Sequence, residues 1–235
     1  GDALTTGAYN VAIGYQALSS EDTGSVSIGI GYYALQAQNN AANNYNIAIG
    51  HSAGAAITTG TQNTLIGGLA GTALTIGNSN VAMGMQALST SVDGDYNTAI
   101  GYRALQDYED GDGNGHNTAV GGDSQLNAST GEFNTSLGSM SIGSGVTTGD
   151  ANTAIGYQAG LSLTNAGNNV LVGNNAGDAL TSGGANVAIG SNALGTEDSY
   201  GYNVAVGHNA LKTLDAGANA YNTAVGYEAG KLMTT

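Results

Sequence analysis

A five-residue phrase, Asn-(Thr/Val)-Ala-(Ile/Val)-Gly, recurs along the whole chain and closes on a glycine thirteen times, from Gly14 to Gly226. Eight of the twelve intervals between these glycines are 17 residues, and the others are 19, 20, 18 and 19. A fixed period of this length makes each repeat a neighbour-on-neighbour unit rather than a part of one central core. The expectation is an all-β parallel β-solenoid, or β-roll, of about thirteen 17-residue coils. It runs as one continuous array over residues 1–235, with a partial coil at 1–9 and repeats from residue 10 onward.

The phrase itself reads as a short strand. With its Asn at position 0, positions 1 and 3 are apolar or β-branched (Val11 and Ile13, Thr98 and Ile100), position 2 is mostly Ala, and position 4 is always Gly. Alternation with period two gives a bulky face and a small face. The bulky face is expected inside the coil. The small face, with Asn46, Asn63, Asn80, Asn97 and Gly50, Gly67, Gly84, Gly101 as structural markers, is expected where another backbone approaches. Gly or Asn three residues before the Asn (Gly7, Gly60, Asn43) predicts a tight turn with positive φ there.

Positions 8 and 11 trade volume. Where position 8 is Gly (Gly54, Gly71, Gly160, Gly177), position 11 is Ile57, Leu74, Leu163 or Leu180. Where it is Leu (Leu18, Leu35, Leu88, Leu194), position 11 is Glu21, Gln38, Ser91 or Glu197. One large apolar side chain per coil is the expected interior volume, and Leu211 with Leu214 breaks that pattern. The whole chain contains no proline among its 235 residues, as stacked coils require, since nearly every residue must offer an N–H to its neighbour.

A net charge of −14, from 3 Lys/Arg against 17 Asp/Glu, repels phosphate backbones and anionic lipid, so neither nucleic acid nor membrane insertion is expected. With no cysteine, a thiol nucleophile or thiolate metal site is excluded. Asp110, Asp112 and Asn114 alternate with glycines like the first half of an EF-hand loop, although Gly121 stands where the closing Glu belongs. This segment reads either as a weak Ca²⁺ site or as an acidic turn. Tyr15, Tyr32, Tyr102, Tyr157 and Tyr227 follow the marker glycines, and Tyr9, Tyr45, Tyr96, Tyr202 and Tyr221 precede the Asn. Such rows suit a glycan stripe or ring-on-ring packing. His51, His116 and His208 lie in unrelated coils without a fixed Ser or carboxylate, so no catalysis is expected. Thr64, Thr98, Thr118, Thr135 and Thr153 at position 1 leave ice binding as a minor alternative, interrupted by Val and Ile.

Asn-Thr-Ala-Ile-Gly-Tyr-Gln-Ala at 152–159 resembles the head repeat of trimeric autotransporter adhesins and repeats in phage tail-fibre proteins. The resemblance extends over the whole chain. It implies a left-handed β-roll, a homotrimer, and a non-enzymatic structural or adhesive module of an extracellular fibre, on a virion tail or a bacterial surface. The family repeat is shorter than the 17 residues here, so the loop of each coil is longer. Self-association is the expected partnership, with host-surface glycan or protein as a further ligand. Because both ends fall within a coil, a piece of a longer array is expected, and head-to-tail stacking into a filament is the alternative assembly.

Overall fold

The computed structural model describes residues 1–108, 115–143 and 145–234. The chain forms a parallel β-solenoid whose residues divide into two compact units, Gly1–Asn117 and Thr118–Thr235. The first unit carries β1 (Val11–Ile13), β2 (Ile28–Ile30), β3 (Ile47–Ile49), β4 (Thr64–Ile66), β5 (Val81–Met83) and β6 (Thr98–Ile100). The second carries β7 (Thr118–Val120), β8 (Thr135–Leu137), β9 (Thr153–Ile155), β10 (Val170–Val172), β11 (Val187–Ile189), β12 (Val204–Val206) and β13 (Thr223–Val225). Within each unit consecutive strands pair parallel and residue for residue along the repeat, as in Val81↔Thr98 and Val170↔Val187. Every strand is positions 1–3 of the repeat.

The orientation of the strands corrects the sequence expectation. Position 2 points inward: Ala48, Ala82, Ala99, Ala154, Ala188 and Ala205 are fully buried, while Ile13, Ile49, Ile100 and Ile189 at position 3 are exposed. The small face is the inside and the bulky face is the outside. The reason is lumen size. A coil with a single three-residue strand closes tightly, and its interior is filled by Ala from positions 2 and 7 plus one Leu or Ile from position 8 or 11. A second row of Ile has no room.

The volume trade between positions 8 and 11 holds, with Ile57, Leu74, Leu163 and Leu180 buried in one set of coils and Leu18, Leu35, Leu88 and Leu194 in the other. Two additions complete it. Leu65 and Leu171 replace Ala at position 2, and a Cβ at Gly54 or Gly71 would come within 2.8 Å of the Leu65 methyls. Each such Leu is thus flanked by glycines in its own coil and the one before. The coil with the 20-residue interval and the last coil with a 19-residue interval bury a large apolar or aromatic side chain at both positions, Leu105 with Tyr108 and Leu211 with Leu214, whereas a buried polar side chain at position 11 accompanies Leu in 17-residue coils (Glu21, Glu197) and in a 19-residue coil (Gln38) alike. Extra backbone gives extra room, which explains the exception.

The turn glycines also need correction. Three residues before the Asn, the glycines do not have positive φ; the left-handed residues are at positions −1, 4, 6 and 8, as in Tyr45 (φ 54), Gly50 (φ 140), Ser52 (φ 53) and Gly54 (φ 57). The glycines at position −3 answer a steric demand instead. A Cβ on Gly77 would sit 2.6 Å from the Gly94 carbonyl oxygen of the next coil. Gly67 at position 4 meets both demands, with φ 135 and the Gly84 oxygen 2.5 Å from a Cβ.

The Asn at position 0 is the inward polar column. Asn46, Asn63, Asn80 and Asn97 are fully buried. Asn63 donates from Nδ2 to the Gly77 carbonyl at 2.8 Å and accepts the Asn80 backbone N–H at 3.0 Å. Asn152, Asn169 and Asn186 repeat this arrangement in the second unit. In the regular coils the column therefore ties one coil to the next through both the corner carbonyl and the N–H that opens the strand, satisfying groups that would otherwise be buried without partners, whereas Asn97 Nδ2 is buried without one among the described residues.

Candidate binding face

Turning positions 1 and 3 outward gives each unit a sheet face whose backbone groups are consumed by the ladder and whose side chains are Val, Ile, Leu, Met and Thr. Positions −1 and 5 border it on either side and carry most of the aromatic residues. Of the expected glycan stripe, Tyr15, Tyr32, Tyr102, Tyr157 and Tyr227 are all exposed. Within each unit they do not follow one another through every coil. Tyr15 stacks on Tyr32 at 5.3 Å between centroids, and Tyr227 stacks on His208 at 5.4 Å. Tyr102 lies under the Arg103 guanidinium at 4.9 Å. Gly68, Met85, Gly122, Ser139, Asn174 and Ser191 occupy the same position in other coils and interrupt the stripe.

The histidines belong to this pattern, which their sequence context did not suggest. His51 stacks on Tyr32 at 5.3 Å, and His116 on Tyr96 at 4.9 Å; the interplanar angles are 4° and 5°. With His208 on Tyr227, all three histidines of the chain stand at position −1 or 5 and act as planar members of the aromatic borders. Counting the repeat register rather than searching for catalytic partners would have found them. Position −1 is raised out of the sheet by its left-handed backbone, and Tyr9, Tyr45 and Tyr96 stand 87%, 52% and 54% exposed there. Where Val26 replaces an aromatic ring between Tyr9 and Tyr45, an apolar groove of about 370 Å³ opens over Val11, Ile28 and Ile47.

Charge is arranged around this face, never on it. In none of the thirteen repeats is position −1, 1, 3 or 5 an Asp, Glu, Lys or Arg. Asp22, Asp93, Asp95, Glu132, Asp150, Asp198 and Asp215 lie between position 12 and position −2, and Asp123 and Glu228 stand at position 6, just outside the opposite border. Two acids at position 11 are instead interior. Glu21 and Glu197 are fully buried and accept the N–H three residues on, Gly24 at 2.8 Å and Tyr200 at 3.0 Å. Their second oxygens reach into the following, longer coil, to Gln38 Nε2 at 2.9 Å and to the Ala216 N–H at 3.2 Å. These carboxylates are corner caps.

Elsewhere, burial raises the Asp178 carboxyl above its ordinary value, opposed by its own backbone N–H and by Lys212. The Lys231 ammonium, 2.7 Å from Glu228, lowers that carboxyl and is itself raised. A hydrogen bond with Tyr32 raises the Tyr33 phenol. Among the described residues no three His, Asp or Glu side chains converge on a common point, and no helix is long and apolar enough to cross a membrane. The calcium residues Asp110, Asp112 and Asn114 lie outside the described residues. Position-1 threonines Thr64, Thr98, Thr118, Thr135 and Thr153 do point outward on the sheet face, in columns shared with Val and Ile.

Comparison with protein-family models, with curated proteins and with solved structures gives no match.

Proposed function

We propose that the chain is a non-enzymatic structural segment of an extracellular fibre, the shaft or head of a phage tail fibre or bacterial surface adhesin, and that it works as a self-associated assembly with a homotrimer as the reading carried by the resemblance. The observation that supports this most directly is the buried Asn column. It locks coil to coil with the same geometry in both units, and a repeated lattice of this kind suits a load-bearing element rather than a mobile catalytic cleft. The His side chains support the same reading, since each is held flat on a tyrosine. Exposed tyrosines along the borders, Tyr15 and Tyr32 foremost, are the surface offered to a host glycan or protein. Light scattering at micromolar concentration tests the assembly: a mass of about three times 23.1 kDa is expected, and the bare chain mass of 23.1 kDa overturns it. A filament assembled end on end would instead give masses that climb with concentration.

A further inference from the structure

We infer that the uncharged sheet face of each unit is the surface on which a second copy of this chain sits, the Val/Ile/Thr ridges of the two faces meshing between their aromatic borders. The inference rests on the self-associated reading above and assigns its surface.

Three observations carry it. The first is apolar exposure on a flat face. Ile49, Ile100, Ile155 and Ile189 at position 3 stand 36–38% exposed in coils whose interiors have no vacancy for them. Extended apolar surface of this kind marks an interaction site rather than the ordinary scatter of single exposed side chains.

The second is charge. A copy of this chain brings −14 charges with it, and two such copies repel wherever their acids face each other within a Debye length, ~8 Å at physiological salt. The four positions of the sheet face and its borders carry no Asp, Glu, Lys or Arg in any repeat, so the ridges themselves bring no carboxylate against those of a second strongly acidic chain, and the nearest acids, at positions −2 and 6, stand outside the borders. A basic partner would be drawn instead to the corner carrying Asp93, Asp95 and Asp198.

The third is spacing. Parallel strands put one ridge about every 4.8 Å along the face. A second copy has the same ridge spacing by construction, so its ridges keep phase with these grooves over successive coils. An unrelated surface drifts out of phase.

The test uses the full chain. Glu is placed on the face at separated coils, Ile49→Glu with Ile100→Glu in the first unit and Ile155→Glu with Ile189→Glu in the second. Light scattering should then fall from a multiple of 23.1 kDa to 23.1 kDa while the circular dichroism is kept. Since cysteine is absent from the chain, single thiols give an independent readout that does not depend on tolerance of buried charge. Ile189→Cys should alkylate with iodoacetamide at least tenfold more slowly than Asp198→Cys at the exposed corner, and dilution to the chain mass should erase the difference. If the wild type is oligomeric but the two thiol variants react alike and the Glu variants keep their mass, the face assignment is overturned and the self-associated reading stands. If the wild type itself has the mass of one chain, the self-associated reading falls and this inference with it.

Discussion

Truncating one member of the buried Asn column should cost far more in the middle of a unit than at its first coil. Asn63 is fully buried and makes four side-chain hydrogen bonds. Its Nδ2 donates to Gly77 O at 2.8 Å and Asn46 Oδ1 at 3.2 Å, and its Oδ1 accepts from Asn80 N at 3.0 Å and Asn80 Nδ2 at 3.1 Å. Asn63→Ala removes all four, but not all four partners are stranded. Asn46 Oδ1 keeps the backbone N–H of residue 63 at 2.9 Å, and Asn80 Nδ2 keeps Gly94 O at 2.7 Å. The stranded groups are the Gly77 carbonyl and the Asn80 N–H, both in the coil interior. Each orphaned buried group costs about 1–3 kcal/mol, so the loss should be about 2–6 kcal/mol. Asn10 is half-exposed and holds one Gly24 carbonyl and one Ser27 N–H, at 2.7 and 2.9 Å, where water can take over. Asn10→Ala should therefore cost about 1 kcal/mol or less. A stacked protein opens locally, so native-state amide exchange is the right assay. A loss of about 3 kcal/mol appears as roughly hundredfold faster exchange at Val81, whose own N–H keeps its bond to Asn97 O in the variant. Equal, small effects at Asn63 and Asn10 would refute the column as a source of stability.

Asp178 gives a pH test with a definite sign. Burial raises its folded-state pKa above the unfolded value, so the folded chain binds the proton more readily, and this carboxyl costs stability as pH rises through its raised pKa. Asp178→Asn should melt higher than the wild type at neutral pH, with the gap closing as pH falls below the ordinary carboxylate range; a gap that persists in acid would refute burial as the cause. For the acidic segment, Asp107, Glu109, Asp110 and Asp112 place four carboxylates within six residues. Millimolar Ca²⁺ should raise the melting temperature, with affinity of about 10⁻⁴–10⁻³ M, and Asp110→Ala with Asp112→Ala should abolish the rise. A melting curve unmoved by Ca²⁺ would refute the calcium site.

The period, the parallel stacking and the strand positions were legible because they depend on spacing, and spacing is what a repeat displays. Facing was not. Alternation says that Val187 and Ile189 share a side and that Ala188 has the other, but not which side is enclosed. Lumen size decides that, and it is a property of the closed coil. The left-handed backbone at position −1 was equally hidden: Tyr45, Gln62, Ala151 and Ala185 occupy it, and none of them advertises positive φ as glycine or asparagine would. Facing also decides how the candidate site looks. With the bulky residues placed inside, the tyrosines form isolated rows; with them outside, the tyrosines and histidines of each unit become the borders of that unit's apolar face.

The coil that carries β2 shows how far the polar column constrains the sequence beyond a preference for Asn. Ser27 stands at position 0 there, and its hydroxyl is too short to reach what an Asn amide reaches. The amide is supplied from position 11 of the same coil. Gln38 donates from Nε2 to Ser27 Oγ at 3.0 Å and accepts Asn46 Nδ2 at 2.9 Å on Oε1, so Asn46 finds the side-chain oxygen that a preceding Asn would have offered. Gln38 Nε2 also donates to Glu21 at 2.9 Å, and Asn44 Nδ2 joins the same carboxylate at 3.2 Å. The substitution at position 0, the Gln at position 11, the Glu one coil earlier and the 19-residue interval are therefore one linked change rather than four separate irregularities. A buried polar network survives such a change only if every donor is re-partnered, because one left over costs more than the network contributes. The coil of β2 thus obeys the same requirement as the regular ones, and Asn46 meets it with a residue drawn from the preceding turn.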